Sequence, residues 1–121
     1  MLLDSNVIIY GARPSYDSVR RFIDGQEAMV SAVSRVEVLG YHKLTSQHHR
    51  KLEDLFRSLL VLPISDPIIE RAIALRQQRR MSLGDALIAA TALVHDLKLA
   101  TANTNDFDWI GGLNVVNPIA R

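Results

Sequence analysis

The stretch Met1–Gly11, MLLDSNVIIYG, decides the fold. Three apolar residues run together and then meet Asp4-Ser5-Asn6, which predicts a short buried strand closed by a polar turn, with a short helix beginning near Val7. A carboxylate at the end of a buried strand is costly unless a cation or hydrogen-bond donors lie beside it. Asp4 therefore marks the first strand end as a place where chemistry gathers.

Outward from this stretch the same alternation of strand and helix recurs. Tyr16, Val19, Phe22 and Ile23 have helical spacing over residues 16–24 and Gly25 stops the pattern, after which Ala28–Val30 reads as a second strand. Residues 35–45 and 48–60 read as helices, the second carrying Leu52, Leu55, Phe56, Leu59 and Leu60 on one stripe, and Val61–Ile64 reads as a third strand. Asp66-Pro67 signals a helix start, with the carboxylate as cap and the proline in the first helical position, and that helix is expected to end in Arg79 and Arg80. The next helix, from Leu83 to about Leu97, is apolar on nearly every side, which places it in the core or between subunits. Lys98–Thr101 and Leu113–Val116 complete five short strands. Strands alternating with helices predict an α/β fold, a parallel sheet covered by helices on both faces, as one domain over residues 1–121.

Composition narrows the chemistry. With 121 residues, 48% apolar and 22% charged, the chain can bury one core. Cysteine is absent, so disulfides, thiolate metal sites and a cysteine nucleophile are excluded, and any metal is held by oxygen or imidazole. A formal net charge of +1 gives no global argument for nucleic-acid binding, which must come from local clusters. The start does not read as a signal peptide and no apolar run reaches spanning length, so a cytoplasmic protein without a membrane association is expected.

In open α/β sheets, ligands gather beyond the carboxyl ends of the strands. Four acids are expected there: Asp4 after the first strand, Glu37 in the first turn of the helix after the second, Asp85 opening the near-apolar helix, and Asp106 after the fourth strand. A second reading stands beside this one. Ser34-Arg35-Val36-Glu37 and Ser82-Leu83-Gly84-Asp85 have capping-box spacing, and Asn103-Thr104-Asn105-Asp106 can act similarly, so each of these acids can be a helix cap. Clustered, the four would repel and raise one another's pKa unless a cation neutralised them. Oxygen-only ligands suit Mg²⁺ or Mn²⁺, and such an ion can polarise a phosphoryl oxygen and stabilise a leaving oxygen, as hydrolysis of a phosphate ester requires.

LLDSNVII (2–9), SRVEVLG (34–40), SLGDALIAATA (82–92) and LATANTNDFDWI (99–110), in this order and at these intervals, resemble the PIN domain, and within it the toxin nucleases of VapBC toxin-antitoxin pairs. The resemblance covers nearly the whole chain. It implies a three-layer α/β/α sandwich with a five-stranded parallel sheet, Mg²⁺ or Mn²⁺ at the carboxylates, endonucleolytic cutting of RNA, a homodimer, and a small DNA-binding antitoxin as partner. Asp4, Glu37 and Asp85 match the family's first three acids, and Ser5 and Asn6 the polar pair after the first. In the fourth motif Asn103 stands where many members have Asp, while Asp106 occupies the acidic place before Phe107, so Asn103, Asp106 or both can reach the metal.

Arg79 and Arg80, just before the Ser82–Asp85 turn, and Arg13 are candidate RNA contacts, with a solvated face as the alternative. His42, His48 and His49 are expected on or between helices, away from the strand ends. Thr101 is expected to support the site by a hydrogen bond, and Phe107 and Trp109 to pack. Two other classes compete with a metal-dependent endoribonuclease. One is a catalytically weak PIN-like scaffold binding RNA or protein, which Asn103 favours. The other, a receiver-like phosphoacceptor, wants adjacent acids after the first strand and a lysine after the last, and finds Asp4-Ser5-Asn6 and no lysine beyond Lys98.

Overall fold

The structure is a computed structural model that describes residues 1–119; the last two residues of the expected 1–121 span lie outside the described residues. Five strands, β1 (Leu2–Leu3), β2 (Met29–Ser31), β3 (Leu60–Leu62), β4 (Leu99–Ala100) and β5 (Val115–Val116), form one parallel sheet in the order β3-β2-β1-β4-β5. Between them run α1 (Ser5–Gly11), α2 (Asp17–Asp24), α3 (Ala32–Leu39), α4 (Ser46–Arg57), α5 (Asp66–Gln78) and α6 (Leu83–Val94).

Successive strand residues point to opposite faces, and here they feed two different cores. Leu2 and Leu99 pack with α5 and α6 around Ile68, Leu75, Ile88 and Phe107. Leu3 and Ala100 pack on the other face against Val7, Ile8, Val19, Val38, Leu55 and Phe56. Helices thus cover both faces of the sheet, the three-layer α/β arrangement expected from the alternation of elements.

Two expectations need correction. The helix after β2 starts at Ala32, not near residue 35, because Ser31 is its cap: Ser31 Oγ accepts from the Val33 backbone N–H at 3.2 Å. Ser34 is consequently inside the helix and fully buried, and Glu37 lies one and a half turns in, so the Ser34–Glu37 pair is no capping box. Ser65, not Asp66, occupies the cap position of α5, and Asp66 and Pro67 fill its first turn. Of the two placements expected for the near-apolar helix, core or subunit interface, α6 takes the core. Ala86, Ile88, Ala89, Ala90, Thr91 and Ala92 are buried within the subunit, and only Leu83 and Val94 at its two ends are exposed.

Candidate active site

The sheet order places a topological switch at β1: the chain proceeds from β1 to β2 and β3 on one side, then crosses to β4 and β5 on the other. A crevice at the carboxyl end follows from that reversal. Asp4 and Thr101 are the residues that leave β1 and β4 there, and they bridge the crevice. Thr101 Oγ1 donates to Asp4 Oδ2 at 2.6 Å, and the Ser5 backbone N–H donates to Oδ1 at 2.8 Å. Asn6 ties α1 to the next turn of the same loop, its Oδ1 accepting from Ala102 N at 3.2 Å, while Thr101 Oγ1 also accepts from Asn103 N at 3.0 Å.

Asp4 is buried, and burial pushes its carboxyl up to about 6. The bonds from Thr101 and Ser5 pull it down, and the nearby Asp85 and Glu37 push it up again. Asp85 is raised for the same first reason, desolvation, then by Asp106; the Ser82 hydroxyl opposes this, and Glu37 adds to it. Repulsion thus links Asp4 to Asp85 and Glu37, and Asp85 to Glu37 and Asp106. Asp4, Glu37, Asp85 and Asp106 therefore share one region, brought from β1, α3, α6 and the loop after β4.

How each is held differs. Glu37 extends from the middle of α3, where Ser5 Oγ donates to its Oε1 at 2.8 Å. Asp85 sits in the first turn of α6, whose cap is made in part as expected: Ser82 Oγ accepts from Asp85 N at 3.1 Å. Asp106 ends a single 3-10 turn, Thr104–Asp106, for which Asn103 supplies no side-chain cap. Asn103 itself is exposed. None of the four acids forms an ion pair with Lys, Arg or His among the described residues.

A divalent ion fits this donor set. The side chains are all carboxylates, unpaired with protein cations, and the buried one is held at a raised pKa that a hard cation would reverse. Among the described residues no three of them stand as a preformed cage. An ion held by these carboxylates would have to draw them closer together than they stand here.

The other expected positions fall partly around this crevice and partly elsewhere. Arg79, the residue ending α5, lies with its guanidinium 5.2 Å from the Trp109 ring, and Trp109 Nε1 donates to the Asp106 carbonyl at 3.0 Å, so this cation stands on the Asp106 side. Arg80 is exposed next to it. Arg13 stacks over Tyr10 at 5.2 Å and lines a groove of about 460 Å³ that reaches Glu37. His49 Nδ1 is 2.7 Å from Glu53 on α4, away from the crevice, whereas His48 lines the groove. Phe107 is core. Two residues of the site escaped the sequence reading: Ser34, whose Oγ is 3.0 Å from Ser5 Oγ, and Gly84, which lies against Glu37. A glycine inside a helix, next to an acid, was the available signal for the second.

Acids at the carboxyl end of a five-stranded parallel sheet define an α/β protein whose donor set would suit a divalent cation. The chain belongs to the PIN-domain family, whose pattern matches residues 1–113. It is 37% identical to Ribonuclease VapC10 of Mycobacterium tuberculosis, over 88% of this chain and 85% of that protein. A toxin-antitoxin complex from Klebsiella pneumoniae contains a chain of the same fold, with a TM-score of 0.79 and 31% identity, covering 99% of this chain and 98% of that one. VapBC2 from Rickettsia felis, bound to a DNA fragment from its promoter, superposes with a TM-score of 0.85 over 96% of each chain; at 21% identity it shows the fold alone. PIN-domain ribonucleases are in general metal-dependent.

Proposed function

We propose that this protein is a metal-dependent endoribonuclease, the toxin of a toxin-antitoxin pair, cutting RNA with Mg²⁺ or Mn²⁺ held by Asp4, Glu37, Asp85 and Asp106. The observation that carries the reading is the buried Asp4 at the switch point, raised to about 6 with other acids near it and no ion pair to offset them among the described residues. A divalent ion bound there supplies Lewis acidity toward a phosphoryl oxygen and a water, and charge to offset the leaving oxygen. The chain's own residues do the positioning. Thr101 and the Ser5 backbone fix the Asp4 carboxylate, the Ser5 hydroxyl fixes Glu37, and Arg79 and Arg80 lie where a phosphate backbone entering past Asp106 would meet them. Arg13 contributes positive charge on the Glu37 side.

The antitoxin has a suitable seat. The groove that reaches Glu37 has Ile9, Val38, Leu44 and Leu52 among its lining residues, with Arg13, Lys43 and Lys51 exposed along it, so it suits a partner segment that is apolar on one side and acidic on the other. The protein acts as a homodimer of single-domain subunits in the cytoplasm. Ile69 and Ile73, one turn apart on α5, are exposed and supply an apolar face for the second copy. No helix among the described residues is long and apolar enough to cross a membrane.

The test is incubation of the purified protein with RNA and with DNA of the same sequence, in Mg²⁺, in Mn²⁺ and in chelator. RNA cut internally only when an ion is present supports the reading. Cleavage undiminished by chelator, or binding without cleavage under every condition, overturns it.

A further inference from the structure

Glu37 reaches the crevice from the middle of α3, and two contacts hold its carboxylate. The first is a relay. Ser5 Oγ lies 2.8 Å from Glu37 Oε1 and 3.0 Å from Ser34 Oγ. A hydroxyl has one proton and a carboxylate has none to give, so the Ser5 proton goes to Glu37 and the fully buried Ser34 donates to Ser5. The second contact is with backbone. The other oxygen, Oε2, lies where a Cβ on Gly84 would overlap it, and the Glu37 Cδ is 3.0 Å from that Cβ position. Gly84 adjoins Asp85 in the first turn of α6, a helix end at which a carboxylate is favoured.

The helical backbone of Gly84 does not itself require glycine, since no positive φ is recorded there. Glycine is a poor helix residue, and only the space it leaves accounts for it. We propose that Gly84 is a positioning residue: its missing side chain lets Glu37 lie across the first turn of α6 beside Asp85, with Ser34 and Ser5 fixing the carboxylate from the other side. This rests on the reading of Glu37 as a metal ligand.

The experiment is a double-mutant cycle on the full chain, with Mn²⁺ alone as probe in titration calorimetry and thermal unfolding read in parallel. Gly84→Ala meets only the end of a flexible side chain, so the protein folds, with a melting temperature equal to or above the parent's. Its Mn²⁺ affinity is expected to fall by about tenfold, the lower end for lost support of a ligand. In a Glu37→Ala background, Gly84→Ala should change Mn²⁺ affinity no further, since the displaced group is gone. An equal loss in both backgrounds, or unchanged Mn²⁺ affinity in Gly84→Ala when Glu37→Ala weakens binding, overturns the proposal. If Glu37→Ala itself leaves Mn²⁺ binding unchanged, the ligand reading fails and this inference fails with it.

Discussion

At the level of single residues, electrostatics separates ligands from supports. Both Asp106 and Asn103 are exposed, but Asp106 carries a charge that raises Asp85, whereas Asn103 offers only an amide. Asp106→Asn should therefore raise the Mg²⁺ concentration needed for cleavage and lower the rate by roughly 10 to 100-fold, and Asn103→Ala should do less. Titrating cleavage against Mg²⁺ and Mn²⁺ for both variants checks the order, and a larger defect in Asn103→Ala would transfer the fourth ligand position to it. Asp4 yields a pH dependence whose sign follows from its shift. Its carboxyl rises from 3.8 to about 6 on folding, so the folded protein holds the proton more tightly. The associated stability, at most about 3 kcal/mol, is fully present below 3.8 and lost as pH rises through about 6. The metal-free protein should lose stability across that window, and Mn²⁺ should raise its melting temperature at neutral pH but much less below pH 6, where protons compete with the ion. A thermal shift independent of pH would contradict this origin.

Among the elements, helix ends carry the most information about what a sequence does and does not reveal. Ser31 and Ser34 are both good caps three residues apart and both are buried, so which one caps depends on the partner each meets: Ser31 meets Val33 N, while Ser34 turns to Ser5, 29 residues away in the chain. Ser31→Ala should lower the free energy of unfolding by about 1 kcal/mol in denaturant titration. A Ser31→Ala protein as stable as its parent would show that α3 is not capped there. The five strands were legible as apolar runs bounded by polar turns, and so was the rule that acids collect at their carboxyl ends. What stayed hidden depends on distant neighbours. The Thr101–Asp4 bond spans 97 residues, and the contact of Gly84 with Glu37 joins two helices. The apolar pattern of α6 fitted a core or an interface equally, and only packing against α5 and the sheet decided for the core.

On the scale of the whole molecule, exposed apolar side chains are spread over several elements, and the neighbouring pair Ile69 and Ile73 on α5 carries the dimer proposal. Sedimentation at tens of micromolar, where an obligate interface is saturated, should show a dimer that Ile73→Glu converts to monomer. A monomeric parent, or a variant still dimeric, would put the interface elsewhere or remove it. The two cores and the sheet between them bring four acids from separate parts of the chain to one switch point, and that arrangement is the basis for reading the protein as a nuclease. Asp85 tests it most directly. Its carboxyl is raised by desolvation and by Asp106, so neutralising it relieves strain within the apo protein, while its backbone N–H keeps the Ser82 cap. Asp85→Asn is expected to fold with unchanged or higher stability and to lose RNA cleavage by at least two orders of magnitude, as for removal of a group that stabilises the transition state. An Asp85→Asn protein that unfolds more readily yet still cuts RNA at the parent's rate would make Asp85 a helix cap and not part of an active site.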